Sequence, residues 1–453
     1  DCSAAWERLI GTETSMISFH FLPIDELGLS DDLYIKMNSR GKPLTKFERF
    51  KAGFEETVRA VSQQRYDEFI HKIDNRWSDV LWEYRGDDNL IDDEFMRYFR
   101  YVTDMLGHRT DVALVGDDGE RAALIYGAAN QQPERNLEFL FSVLDCWHGK
   151  QVANWFDGIF VASGHEPGKV SLFDHVDLFA ACCKDYGSRK FTLHRALILF
   201  AALVHLRTGS DRFPERIRTL RNLVLNSEFE IRQHRMPRLL EDTHKFVLQG
   251  NLADLADLAG FNRRQIDEEA RKARFITENP TMLEPLRRLE DHRLLRGCLA
   301  AFELDPKCFE RRAATFAEIF TVGNGVTLPE VSTALLACGD YSQRNRMGRY
   351  QFGTPGGGEE IWRQLVTNEA SADFSKTKAA LQRLLDEVGT SEVGPIHARL
   401  RSVGDRFLDE RKKVGELDLR YYLVKYFEMR EGDSGLYASG TGTMGFNLCM
   451  LRK

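Results

Sequence analysis

The segment Asn38-Ser39-Arg40-Gly41-Lys42-Pro43-Leu44-Thr45 sets two cations and a glycine just ahead of a helix start. That combination is suited to holding an oxyanion. A helix N-terminus offers unpaired N–H groups and partial positive charge, and Arg40 and Lys42 add charge upstream of it. Asn38, Ser39, Arg40, Gly41, Lys42 and Thr45 are therefore candidate phosphate- or nucleotide-binding residues, with Asn38 fixing the turn through side-chain hydrogen bonds. The alternative is an ordinary strand–turn–helix corner with two solvated cations, and neither a P-loop nor a GxGxxG pattern is present to decide between them. A second group, Arg344, Arg346, Arg349 and Tyr350, interleaves arginines with aromatics ahead of Thr354-Pro355-Gly356-Gly357-Gly358. Cations beside aromatic faces suit nucleotide or single-strand binding, so these four are candidate nucleic-acid contacts. The low periodicity and the glycines predict a long mobile loop there. No Ser-His-Asp arrangement, paired-carboxylate spacing or HExxH occurs, and the catalytic residues stay unknown.

Elements able to position these groups follow from periodicity. Leu33, Ile35 and Met37 alternate with Tyr34, Lys36 and Asn38, the period of a half-buried strand. Thr45 precedes Glu48 by the spacing of a capping box, and Phe47, Phe50, Phe54, Val58 and Val61 then form one apolar helical face. Phe95, Tyr98, Phe99, Val102 and Leu106 predict a helix opened by Asp92-Asp93-Glu94. Residues 137–147, 152–161 and 172–183 predict further helices, 193–206 a buried central one, and Pro214 opens another with Ile217, Leu220, Val224 and Leu225 on its face. Residues 262–276 carry the pairs Asp267/Arg271 and Glu268/Lys272 and predict an exposed helix. Residues 283–302 predict a helix whose Arg287, Arg288, His292, Arg293 and Arg296 could meet phosphates or solvent. Near the end, residues 421–426 continue a helix, while Gly435-Leu436-Tyr437 and Phe446-Asn447-Leu448-Cys449 predict a small sheet.

The run Tyr34-Ile35-Lys36-Met37-Asn38-Ser39-Arg40-Gly41-Lys42-Pro43-Leu44 resembles the distal part of the GmrSD-type restriction-endonuclease N-terminal domain, a ParB/sulfiredoxin-like domain of bacterial defence proteins. Asn262-Arg263-Arg264-Gln265-Ile266-Asp267-Glu268-Glu269, Asp291-His292-Arg293-Leu294-Leu295-Arg296-Gly297 and Arg349-Tyr350-Gln351-Phe352-Gly353-Thr354-Pro355-Gly356-Gly357 are similar to long members of that family. The family's Asp-Gly-Gln-Gln-Arg motif belongs upstream of Asn38 and does not occur there; Gln63-Gln64-Arg65 lies on the wrong side. The resemblance implies a nucleotide-dependent DNA-targeting module of a restriction-type system, using a nucleoside triphosphate with Mg. It implies DNA, and a companion defence protein or a second copy of the chain, as partners. The full-length protein would be the nuclease, and this chain, read as a fragment, would be inert alone. His234-Arg235-Met236-Pro237 matches an HNH element in letters only, without the further ligands a metal needs. A non-catalytic helical scaffold of a defence complex is the competing expectation.

At 453 residues the chain can hold about two or three domains. Hydrophobic residues make up 43%, which excludes a disordered class. A net charge of −7 argues against whole-surface attraction to nucleic acid but leaves room for a local basic site. Eight cysteines show no CxxC pair and no zinc spacing, so no structural metal is expected. The expected architecture is mainly α, with a small α/β element (ParB/sulfiredoxin-like by resemblance) at residues 1–60, a helical domain at 61–330, and a C-terminal region at 331–453 with minor β-structure. No segment predicts a membrane span, and the expected location is the cytoplasm.

Overall fold

The structure, a computed structural model, describes residues 6, 7, 9, 44–250, 252–321, 323–344, 350–352, 358–390, 394–427, 430 and 436–437. The chain divides into two units, Asp1–Ala52 and Gly53–Lys453. The strand expected at 33–37 lies outside the described residues. The described stretch that follows is purely helical, so within residues 1–60 no described residue supports the expected α/β element. Helix α1, Lys46–Val61, begins at the predicted capping box. The Thr45 N–H donates to Glu48 Oε2 at 2.7 Å, and the Glu48 N–H donates to Thr45 Oγ1 at 3.1 Å.

The larger unit is helical nearly throughout. After α2 (Gln63–Lys72), a π turn at Ile73–Trp77 and α3 (Ser78–Trp82) come α4 (Asp92–Thr110), α5 (Asp118–Tyr126), α6 (Pro133–Asp145) and α7 (Val152–Ile159). The predicted α4 face is buried: Phe95, Tyr98, Phe99, Val102 and Leu106 all face inward. Strands β1 (Phe160–Val161) and β2 (Val170–Ser171) then form a short parallel pair. The helix expected over 172–183 starts only at Leu178, because the Asp177 carboxylate accepts the Ala180 N–H and caps α8 (Leu178–Asp185). Helix α9 (Leu193–Thr208) is apolar on every side from Ala196 to Val204 and wholly buried there, as its composition predicts. It packs on α8, α6, α10 (Phe213–Leu225) and α11 (Met236–Gln249). The thiols of Cys182 and Cys183 are sealed in this core, and burial pushes both well above their usual range.

Helices α12 (Leu252–Asp257), α13 (Arg263–Glu278) and α14 (Leu283–Glu290) lead into a second apolar core running from Phe275 to Val424. It is built by α15 (Phe309–Ile319), α16 (Leu328–Cys338), α17 (Gly358–Thr367), α18 (Phe374–Thr390), α19 (Ile396–Val414) and α20 (Leu419–Lys425). The single helix predicted for 283–302 ends at Glu290. Arg296 and Gly297 take φ of 44° and 89°, which no right-handed helix accommodates. Three two-residue strands, β3 (Gln343–Arg344), β4 (Tyr350–Gln351) and β5 (Leu436–Tyr437), pair antiparallel in that order. Among the described residues no helix is long and apolar enough to cross a membrane.

Candidate functional site

Of the residues predicted to hold phosphate, Asn38, Ser39, Arg40, Gly41 and Lys42 lie outside the described residues. Thr45 caps α1, its hydroxyl and its amide both committed to Glu48. Arg346 and Arg349 also lie outside, whereas Arg344 and Tyr350 face each other in register as backbone partners of β3 and β4. The described ends of that predicted loop are anchored rather than loose. Tyr341 is buried and donates its hydroxyl to the Phe352 carbonyl at 2.5 Å, and the Gln343 amide donates to Leu365 O and Thr377 Oγ1, both at 2.8 Å.

Two of the segments with family resemblance, 262–269 and 291–297, meet in the larger unit. Helix α13 is not the exposed helix its charge pairs suggest: Gln265, Glu268, Glu269 and Lys272 recur every three or four residues on one face, and that face is buried. Lys272 Nζ lies 2.9 Å from Glu268 Oε1, 2.7 Å from Glu269 Oε1 and 3.2 Å from Glu290 Oε1, and it donates also to the Gly297 carbonyl. Burial works to lower the Lys272 ammonium; the three carboxylates override it and hold the group above its usual range. Burial pushes the Glu269 carboxyl up to about 7, Lys272 pulling it back and Glu290 adding to the rise. Asn222 bridges these acids, donating to Glu290 Oε1 at 2.8 Å. Gly297 is needed beside it, because a Cβ there would stand 2.3 Å from Asn222 Oδ1.

The second half of this network centres on Asp291, whose side chain is fully buried. It accepts from Arg218 at 2.8 Å, Arg221 at 2.9 Å and the Ser171 N–H at 3.3 Å, with His165 Nδ1 at 2.9 Å. Burial favours the neutral acid, but the His165 hydrogen bond and the two guanidiniums outweigh it and hold Asp291 below the usual carboxylate range. The other ring nitrogen of His165 meets Glu284 Oε1 at 2.5 Å. An imidazole between two carboxylates is held protonated, and the Asp291 bond raises its pKa despite burial.

In front of this network opens a cavity of about 370 Å³, lined by Phe173, His194, Arg195, Arg221, Arg296 and Arg363 among others. Arg195 is clamped by both Asp174 oxygens, at 2.6 and 2.5 Å, and Arg363 lies 3.3 Å from Glu360. Arg296 differs. Its Nε–H goes to the Arg293 carbonyl at 3.1 Å, and among the described residues no carboxylate stands within ion-pair distance. Burial and the neighbouring Arg363 lower its pKa by more than the Glu360 carboxylate, too far off for an ion pair, raises it. Arg221 is buried, and its Nε–H has no acceptor among the described residues. Both guanidinium carbons sit 5.4 Å from the Phe173 ring centroid. Phe173 and Arg296 are left-handed, with φ of 56° and 44°, a conformation costing roughly 1–3 kcal/mol for such residues and characteristic of ligand sites. Arg296 thus brings unspent terminal N–H donors to a cavity wall that also carries Asp174, Glu228 and Glu360, while the enclosed Nε–H of Arg221 stays behind it; a guanidinium fork so placed is chemistry for an oxyanion.

Sequence reasoning names Arg296 within a cationic run and Lys272 only as half of a charge pair on an exposed helix, and it misses Arg218, Arg221, Phe173 and His165. Arg218 and Arg221 stand among Ile217, Leu220 and Val224, so polar residues beside an apolar stripe were the available signal. Their acceptor lies seventy residues on in Arg221's case and is invisible to periodicity. His292, read with the phosphate-facing cations, instead lies half-buried against Phe316 and Phe320, and desolvation lowers it to about 4. Arg293 is spent on Glu359. Among the described residues no cluster of three His, Cys, Asp or Glu side chains is placed to hold a metal ion. No family model matches the chain, and neither curated proteins nor solved structures give a match.

Proposed function

We propose that the unit from Gly53 to Lys453 binds a phosphate-bearing ligand of the nucleotide class in the arginine-lined cavity. In this reading the chain serves as the nucleotide-dependent module of a restriction-type defence protein. One observation carries the ligand class: Arg296 lies over Phe173 at the cavity wall with its terminal N–H donors unspent and no carboxylate within ion-pair distance among the described residues. The volume falls within the roughly 300–1,000 Å³ usual for small-ligand sites. The defence context rests on the residues around Asn38 and on the two later segments, which build the cavity's support: Glu268 and Glu269 from one, Asp291 and Arg296 from the other. The described residues offer a nucleotide's phosphates arginines, and none of them forms a group of three or more His, Cys, Asp or Glu placed to hold a metal ion. The nuclease centre that the resemblance implies would use the Asp-Gly-Gln-Gln-Arg motif, which this chain does not contain, so no hydrolytic step is assigned to its residues.

Isothermal titration of ATP, GTP and inorganic pyrophosphate tests the reading. The wild-type protein is expected to bind at least one of them. Arg296→Ala removes charge-assisted hydrogen bonds worth about 1.5–3 kcal/mol and so weakens that binding roughly ten- to hundredfold. Absence of binding by the wild type, or equal affinity in the variant, would overturn the cavity reading and leave the helical interaction scaffold in its place.

A further inference from the structure

A second set of arginines gathers where four helices converge, and it shares no residue with the cavity. Arg109 stands in the last turn of α4, Arg135 in the first turn of α6, Arg207 in the last turn of α9 and His244 on α11. The three arginines are exposed. Arg109 and Arg207 lie over one aromatic ring, with guanidinium carbons 5.5 and 4.4 Å from the Phe139 centroid. Arg207 spends its Nε–H on Ser142 Oγ at 2.6 Å, and Arg135 spends one donor on Gln132. Among the described residues none of the three has a carboxylate within ion-pair distance; Glu138 acts on Arg207 only from farther away. The cations therefore act on one another. Although Arg109 is exposed, the aromatic rings covering part of its guanidinium desolvate it and lower it, and Arg207 and Arg135 lower it further; His244 is lowered by desolvation and then by Arg109 and Arg207.

Compensation of helix dipoles accounts for Arg109 and Arg207, which sit at C-termini, but not for Arg135, a cation in a first turn where positive charge is disfavoured. Like charges drawn together from separate helices, on a chain whose net charge is −7, mark a place where an anion is the missing partner. Arg109 and Arg207 stand on the open surface, and Arg135 borders only an open hollow that it shares with Glu134 and Glu138, so a small anion would be held by few contacts. A polymer running across the surface presents successive phosphates to successive forks.

We infer that Arg109, Arg135 and Arg207 form a contact surface for the phosphate backbone of a nucleic acid, read without base specificity. This surface stands or falls separately from the ligand proposed for the cavity. The test is fluorescence anisotropy of a labelled duplex DNA oligonucleotide across a salt series, with Arg109→Gln/Arg207→Gln compared with wild type. The charge-matched control is Arg271→Gln/Arg274→Gln, two exposed α13 positions. Each phosphate contact contributes about 0.9 to the salt slope, so the patch variant should be shallower by roughly 1.8 while the control keeps the wild-type slope. Arg135→Gln, away from the aromatic ring, should lower the slope by about 0.9 and serves if the double variant does not fold. The inference fails if wild type does not bind the duplex, if the slopes of wild type and patch variants coincide, or if the control loses as much. It fails equally if polyglutamate displaces the DNA as well as unlabelled duplex does, which would make the partner an acidic protein.

Discussion

Asp291→Ala is expected to destabilise the protein by about 3–5 kcal/mol, the range for breaking a buried ion pair by removing one partner. Asp291 is the common acceptor of Arg218 and Arg221 and a partner of His165, and the Ser171 N–H of the β1–β2 pair also points at it. Its removal leaves Arg221, almost wholly enclosed, with only backbone carbonyls as acceptors, and Arg218 with Glu290 Oε2 at 3.6 Å as its remaining carboxylate. The loss comes from that under-compensated buried charge more than from the bond energies themselves. The check is urea denaturation of wild type, Asp291→Ala, Arg221→Met and the double variant. If the cations are what hurts, the double variant loses less than the two single losses added together. A loss below about 1 kcal/mol for Asp291→Ala would show that water reaches the site and that the network is not a dry one.

Lys272→Met carries a comparable effect with a distinctive pH dependence. The substitution leaves Glu268, Glu269 and Glu290 facing one another in a buried space, and at pH 8 the expected cost is again about 3–5 kcal/mol. Glu269 already titrates at about 7 in the folded protein, above its ordinary range. A carboxyl raised on folding contributes stability that is fully present below its unfolded pKa and is lost as pH rises through the folded one. Wild type should therefore lose some stability between about pH 4.5 and 7 through this group. The variant, without Lys272 to restrain Glu269, should lose more and over a range extending higher. Urea midpoints at pH 5 and pH 8 decide it: the gap between wild type and Lys272→Met must widen toward pH 8. A constant gap would mean that the methionine is felt as a packing change alone.

These two effects explain why the fold was easier to read than the site. Helices α4, α9 and α10 were legible because apolar spacing and caps are local properties, and Phe95 to Leu106 or Ala196 to Val204 announce themselves within one turn or two. Helix α13 was misread for the same reason. Glu268 and Lys272 at a spacing of four look identical in sequence whether they face water or face Glu290 from another helix. The break after Glu290 had a local sign in Gly297, but the strain at Arg296 had none, since arginine has no taste for a positive φ. The cavity joins Phe173 and Arg195 to Arg296 and Arg363 across long stretches of chain, and only tertiary packing brings such residues into one place.

The sealed cysteines of the first core offer a reporter that needs no engineering. Cys182 and Cys183 are enclosed and burial holds both thiols well above their usual range, so an alkylating reagent can reach them only when α8 swings away from α4 and α9. Mapping iodoacetamide adducts by peptide mass would turn these two positions into a clock for how often that helix comes loose, and adding a cavity ligand would show whether occupancy slows it.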